Sequence, residues 1–259
     1  MKNKYDIIYS IGHDCACSMY LQRHNLRICS GPLDWITGIP APARFDLLIN
    51  EFPDFLNLGD MEFIQKNPNI FNDDRCDYYK NKRTGFLFYH DFPIGIPISE
   101  SIPNVAEKYA RRIRRFYDNI KNKNRVLLVW FSHYHHTTDE QWRQFSQRLC
   151  DKMNKNIDIL VIEHRNNQTM PVMQHISKNI TRYYLHTIAY DKNGNITTLG
   201  NEKLCGSIFK KIAIRITPKN KVKYIYKNTM LYGICKFLPI KSLRHKWRNR
   251  LKADIQKLF

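Results

Sequence analysis

Cys15 lies between a strand-like run and a helix-like one, a place where a thiol can be made reactive. Residues 5–36 read YDIIYSIGHDCACSMYLQRHNLRICSGPLDWI. The apolar run at 6–10 stops at Gly12, the polar triplet His13-Asp14-Cys15 follows, and a helix is expected over about 15–24. The unpaired N–H groups and positive dipole end of a helix favour thiolate over thiol. The competing reading makes Cys15 a small buried hydrophobe at an ordinary strand–helix junction.

A thiol nucleophile needs a base in hydrogen-bond reach and a group that orients the base. His90 in FLFYHDFP closes a strand-like run at 86–89. There it would stand at the carboxyl edge of an open sheet, where ligand sites form. Asp91 is adjacent, although neighbouring strand residues point to opposite faces, and a turn histidine with a capping Asp is the bland alternative. Asp34 in SGPLDW either caps the donors of a turn or faces Cys15 and orients a substrate or histidine. His133, His135 and His136 (FSHYHHTTDE) and His164 (VIEHRN) also end strand-like runs, which fits a polar cleft along one edge. Two histidines one apart can share a face and ligate a metal, but no carboxylate or cysteine stands near them at ligand spacing, so no metal site is expected. Neither GxxxxGK nor GxGxxG occurs, and no nucleotide or other cofactor is expected.

The elements that would position these residues alternate. Further strands are expected at 126–131 (VLLVWF), 157–162 (IDILVI) and 183–189 (YYLHTIA), continuous apolar runs that suit a sheet covered on both faces. Helices are expected at 105–119, with Val105, Tyr109, Ile113 and Phe116 on one stripe, and at 139–153, with Thr138 and Asp139 at its N-cap. This order predicts an α/β fold: a single three-layer domain with a mostly parallel central sheet, spanning 1–214. Within it 37–85, with three prolines, Asn72-Asp73-Asp74 and a Lys-Arg cluster at 80–83, reads as an irregular insertion. Asp-Lys-Asn-Gly-Asn at 191–195 reads as a turn.

Residues 215–259 read as a basic amphipathic helical tail. The net charge of +19 is concentrated there: residues 210–259 hold fifteen Lys and Arg against Asp254, a net +14, which leaves +5 for 1–209. From Pro239 onward Ile240, Leu243, Trp247, Leu251, Ile255 and Leu258 recur at helical spacing among basic residues. That composition suits an anionic membrane surface, with Leu243, Trp247, Arg248 and Leu251 as membrane-facing candidates. The alternative is a terminal helix packed on the body. Nucleic acid is disfavoured, since no recognition motif accompanies the charge. No apolar run is long enough to span a bilayer, no signal-peptide pattern opens the chain, and seven irregularly spaced cysteines suggest reduced thiols. The expected location is cytoplasmic, with peripheral contact on the inner membrane face.

The opening block resembles an uncharacterised, mainly bacterial family of putative papain-like cysteine peptidases. Ser10, Gly12, Cys15, Leu26, Arg27, Ser30, Pro32, Asp34 and Trp35 carry that likeness, and His90-Asp91 with Arg115-Phe116 resemble a later block. Asn25 stands where the family has glycine, a residue that left-handed geometry tolerates, and Leu33 where it has phenylalanine. The resemblance implies a Cys-His site: Cys15 as nucleophile, His90 as base, and Asp91 or Asp34 to orient it. His13, Asp14, Asp34, Trp35 and Arg115 are the candidates for binding or orienting a substrate, which would be a peptide, acyl or glycan group. A papain-like fold implies an antiparallel sheet supplying His, whereas the strand–helix alternation implies an open parallel one. The expected function is a cysteine peptidase or related thiol hydrolase or acyltransferase. The alternatives are a membrane-associated transferase or accessory protein of surface-polysaccharide assembly, and a non-catalytic binding module with an unreactive Cys15.

Overall fold

Every residue of VLLVWFS, from Val126 to Ser132, is buried, and a strand buried on both faces belongs in the middle of a covered sheet. The computed structural model describes residues 3–66, 75–216, 218–237 and 239–256. Along the chain the elements are β1 (Asn3–Tyr5), β2 (Ile7–Ser10), α1 (Cys15–Arg23), β3 (Ile36–Thr37), α2 (Ala41–Ile49), β4 (Met61–Gln65), β5 (Cys76–Asn81) and β6 (Leu87–Pro93). There follow α3 (Ile98–Asn122), β7 (Val126–Ser132), α4 (Asp139–Met153), β8 (Asp158–His164), β9 (Val172–Ser177), β10 (Ile180–Leu185), α5 (Glu202–Phe209), β11 (Ile212–Ile214), α6 (Pro218–Phe237) and α7 (Lys241–Gln256).

The central sheet runs β2-β7-β8-β10-β9. Its first four strands are parallel and β9 is antiparallel on the edge, while β11 pairs in parallel with β1 just upstream of β2. Side chains alternate across this sheet. Ile7, Tyr9, Leu128 and Trp130 join a core with α2, α3 and α4. Ile8, Leu127, Val129 and Phe131 join another with α1 and α5. The architecture is α/β with a mostly parallel central sheet, as the alternation predicts.

Two corrections concern what lies between α1 and α3. The segment 37–85 is more regular than its prolines suggest, since β3, β6, β5 and β4 form a second, antiparallel sheet in that order. The run 86–89 belongs to this second sheet through β6, not to the parallel one. Short connections and Phe-rich strands explain it: Phe55, Phe86, Phe88 and Phe92 are buried against α3, so the insertion has its own reason to fold. Asn72, Asp73 and Asp74 lie outside the described residues.

Helix boundaries follow local chemistry. Asn25 takes φ 56° after α1, the left-handed conformation anticipated for it. Thr138 and Gln141 close a reciprocal capping box on α4. α3 starts at Ile98 rather than 105, because the helix continues through Pro103 near its first turns. β10 ends at Leu185, so the expected strand at 183–189 is displaced toward the N-terminus. β9 was not anticipated because its mostly exposed residues carry no apolar run. The turn at 191–195 forms, with the Asp191 carboxylate accepting from the amides of Asn193 and Asn195.

The C-terminal stretch is two helices, α6 and α7, in mutual contact. Leu251 and Ile255 of α7 are buried, whereas Leu243 and Trp247 are exposed. Leu251 therefore does not face outward with the other three candidates. Leu258 lies outside the described residues. Among the described residues no helix is long and apolar enough to cross a membrane.

Candidate active site

Cys15 opens α1, one residue after its N-cap. The Asp14 carboxylate accepts from the Ala16 amide at 2.8 Å, so Asp14 is spent on the helix start. The approach from β2 is tight. A Cβ on Gly12 would stand 2.5 Å from the Cys17 Cβ and 3.1 Å from the Phe131 carbonyl oxygen, so only glycine brings the chain this close to β7 before the turn. Arg44 of α2 pins the same corner. Its Nη2 donates to the carbonyls of His13 (2.6 Å), Gly38 (2.9 Å) and Ile36 (3.0 Å), and its Nε to Gly38. Arg44 is fully buried, and burial draws its pKa down to about 9.

The two cysteines of this turn differ. Cys17 is completely buried, donates to the Val129 carbonyl at 3.3 Å, and has its pKa pushed up to about 12 by desolvation. It is a core thiol. Cys15 is also buried, at 6% exposure, and its charge, second to burial, raises the hydroxyl pKa of Tyr89 on β6.

β6 is irregular where it meets the site. Asp77 pairs with Phe92 and Tyr79 with Phe88, so three residues of β6 oppose the single Tyr78 of β5. Those three are Tyr89, His90 and Asp91. Such a bulge re-aims side chains, and here it parts neighbours. The Tyr89 ring packs on Tyr78 at 4.4 Å, and the His90 ring meets the edge of Trp35 at 5.6 Å. The Asp91 carboxylate is held by Lys108 and by the Tyr109 hydroxyl at 3.0 Å, both on α3. His90 thus sits within an antiparallel strand rather than at the carboxyl edge of the parallel sheet. Asp91 is held from the α3 side.

The SGPLDW block works as a strap between α1 and the second sheet. Buried Asp34 accepts from the Gly31 amide at 2.9 Å and pairs with Arg27 Nε at 3.0 Å. Desolvation outweighs these partners and raises its pKa. Asp34 therefore serves as the turn cap. Arg27 also donates to Ser30 Oγ at 2.6 Å and lies 5.1 Å from the Trp35 ring centre. Arg115 donates to the Ser30 carbonyl at 2.8 Å, so it holds this strap instead of a substrate.

The carboxyl edge of the parallel sheet gathers imidazoles. His13 is buried, its ring 4.4 Å from His135, its Nδ1 without a hydrogen-bond partner and 3.8 Å from Asp14. Burial lowers the pKa of His135, with His13 and Arg44 adding to the effect. His133 bonds Thr187 Oγ1 and the Thr198 carbonyl. His136 Nδ1 lies 2.9 Å from the wholly buried Glu163, which Arg182 also approaches at 3.4 Å. Among the described residues no three His, Cys, Asp or Glu are grouped to hold a metal ion, and Cys15, Cys17, Cys29, Cys76, Cys150 and Cys205 form no disulfide. A large concavity of about 860 Å³ between α4 and the β9–β10 hairpin has no histidine in its lining, so it offers no thiol–imidazole pair.

Sequence reasoning missed Arg44, Tyr89 and the Glu163–His136 pair. Arg44 sits in APARFD with no motif around it, and the Glu163 partner is 27 residues from His136. Only VIEHRN, with a carboxylate inside an apolar strand, carried a signal.

The corner thus holds one thiol at a helix start, with imidazoles in the loops that follow the neighbouring strands. Residues 6–167 match the family described as putative papain-like cysteine peptidase (DUF1796), and the chain belongs to that family. An uncharacterised protein (R408) of Acanthamoeba polyphaga mimivirus is 25% identical over 134 residues, covering 48% of this chain and 60% of that protein. The chain thus spans about three fifths of the length of this relative. No solved structure matches.

Proposed function

We propose that the protein is a thiol hydrolase or acyltransferase of the papain-like class, with Cys15 as nucleophile and His90 as general base and then acid. The observation that carries this reading is the position of Cys15 in the first turn of α1, with Tyr89, the neighbour of His90 in the β6 bulge, near enough to respond to the charge of Cys15. The first-turn amides that Asp14 does not take, with the α1 dipole, would favour the thiolate and then a tetrahedral oxyanion. Trp35, edge-on to the His90 ring, is the positioning residue for that base. His90 would take the thiol proton as sulfur attacks an acyl carbon, and return it to the leaving group. Cleavage of peptide bonds is the family's implication; acyl chemistry at a thiol is what the corner supports. The finer architecture belongs to the same reading: three layers over 1–214, supported by the two cores on opposite faces of the sheet.

A second reading takes the base from the sheet edge, and the 4.4 Å packing of His13 on His135 favours it. One experiment separates the two: the pH dependence of iodoacetamide alkylation, localised by mass spectrometry, in the wild type, His90→Gln and His135→Gln. Cys15 should react well before Cys17, and His90→Gln should lower its rate at neutral pH about tenfold or more. Loss in His135→Gln alone transfers the role of base to the sheet edge. A Cys15 that reacts no faster than an ordinary cysteine, in all three proteins, overturns both readings.

A further inference from the structure

The α7 sequence carries a single apolar stripe, 243–247–251–255, and the protein covers only half of it. Leu251 and Ile255 are 7% and 9% exposed, while Leu243 and Trp247 are 44% and 42% exposed. Residues four apart share one helix face, so the same face is packed at one end and bare at the other. α6 has a matching stripe, in which Val222, Tyr226 and Met230 follow at four-residue steps and all are exposed.

The two helices form a hairpin. Only three residues separate Phe237 from Lys241. Lys227 Nζ lies 3.1 Å from Asp254 Oδ2, a pair ten or more residues from the turn on each helix, which requires the helices to run back along one another. Tyr224 donates to Asn25 Oδ1 at 3.4 Å, and Arg215 pairs with Asp6 at 3.7 Å, so the hairpin is fastened at its base to the α/β body. Of the uncovered apolar residues, Met230, Ile240, Leu243 and Trp247 belong to the half nearer the turn, and Val222 and Tyr226 to the half nearer the base. The first four are ringed by exposed Lys246, Arg248 and Arg250, and the Arg250 guanidinium lies 5.6 Å from the Trp247 ring.

We propose that this hairpin docks on an anionic lipid surface, its turn half entering the headgroup region with Leu243 and Trp247 leading. Charge complementarity names the partner. The last fifty residues carry a net +14, and a negative lipid surface attracts each nearby Lys or Arg. The apolar stripe separates lipid from the other polyanion, nucleic acid: phosphate contacts would satisfy the bases and leave Leu243 and Trp247 in water, whereas the bilayer interface takes both faces of the helix. A second copy of the hairpin would bring two strongly positive surfaces together. The helices are too polar to span, so the mode is interfacial, and the fastening at Tyr224 and Arg215 would hold the α/β body beside the membrane. This docking does not depend on the chemistry at Cys15.

The test is co-sedimentation of the full chain with vesicles of phosphatidylcholine alone or mixed with phosphatidylserine. Binding is expected only to the mixed vesicles and should weaken with added salt. Combined replacement of Lys246, Arg248 and Arg250 by Gln should weaken partitioning about a hundredfold, at ~1 kcal/mol per base near the surface. Leu243→Ser with Trp247→Ser changes exposed positions and leaves the charge intact. It should abolish co-sedimentation with the mixed vesicles, and the wild type should show a vesicle-induced blue shift of tryptophan emission that Leu243→Ser alone reduces. Equal binding to both vesicle types, or none, overturns the proposal. So does binding to nucleic acid that survives the Leu243/Trp247 change alongside vesicle binding that never required it, or concentration-dependent dimerisation in place of vesicle binding.

Discussion

The corner from Gly12 to Cys15 and the bulge from Tyr89 to Asp91 look alike in sequence, each a His-Asp pair beside a strand-like run. The fold treats them differently. At the corner the parallel strand ends, the backbone turns into a helix, and Asp14 is consumed as its cap, which leaves the His13 ring among other imidazoles at the sheet edge. In the bulge the antiparallel strand continues, and each side chain goes to a different neighbour: Tyr89 to Tyr78 and Cys15, His90 to Trp35, Asp91 to α3. Asp14 caps the helix while standing 3.8 Å from the His13 ring, and Asp91 is held from α3. A carboxylate adjacent in sequence is a poor guide to an orienting partner, because backbone caps and buried cations compete for it. The carboxylate that does bond a histidine, Glu163 with His136, comes from a different strand altogether.

The most disruptive way to test this contrast is to unpin the corner. Arg44→Met removes four hydrogen bonds to the carbonyls of His13, Ile36 and Gly38 and leaves these buried acceptors unmatched. A loss of about 3 kcal/mol or more is expected in urea unfolding, with slower Cys15 alkylation in the protein that remains folded. Unchanged stability would show that the corner holds without its guanidinium. Next in size is Asp91→Ala, which strands the buried Tyr109 hydroxyl and the Lys108 ammonium. It should lower stability by about 2 kcal/mol while the Cys15 alkylation rate stays as in the wild type. If the rate falls and stability holds, Asp91 orients the base after all, and corner and bulge are more alike than their contacts suggest.

What could be read from the sequence was the part set by local periodicity and caps. The fully apolar β7 and β8, the capping box of α4, Asn25 in the left-handed conformation and Cys15 at the start of α1 all follow from residues within a few positions of one another. What escaped depends on partners far along the chain. FLFYHDFP has the composition of a buried parallel strand, and nothing local says that Asp77 and Tyr79 will pair it into another sheet with a bulge. Arg44 reads as an ordinary helix surface residue until Gly38 and Ile36 fold back over it. The role of Asp34 was visible as one of two options, and the Gly31 amide with Arg27 selects the turn cap. The half-covered stripe of α7 was legible as a pattern, whereas the burial of Leu251 required α6 to be seen beside it.

The smallest effect concerns the imidazoles at the sheet edge, and it has a definite sign. His133 is 3% exposed. Its Nε2 lies 3.1 Å from the Thr198 carbonyl, which can only accept, so Nε2 carries the proton and Nδ1 accepts from Thr187 Oγ1. Desolvation lowers its pKa below the ordinary 6.5; the Thr198 carbonyl and Asp14 oppose the shift, and His164 and His13 add to it. A histidine with a depressed folded pKa contributes stability that is present above the unfolded value and is lost as pH falls through the folded one. Urea midpoints of the wild type should therefore be flat above neutral pH and decline from about pH 6.5 downward. His133→Asn should lose about 1 kcal/mol at neutral pH through the weakened bonds to Thr187 and Thr198, yet decline less steeply on the acid side. If the variant keeps the full acid slope, the titration belongs to His135, whose pKa burial also lowers. His135, packed against His13, and not His133, would then be the protonation-sensitive element of this edge.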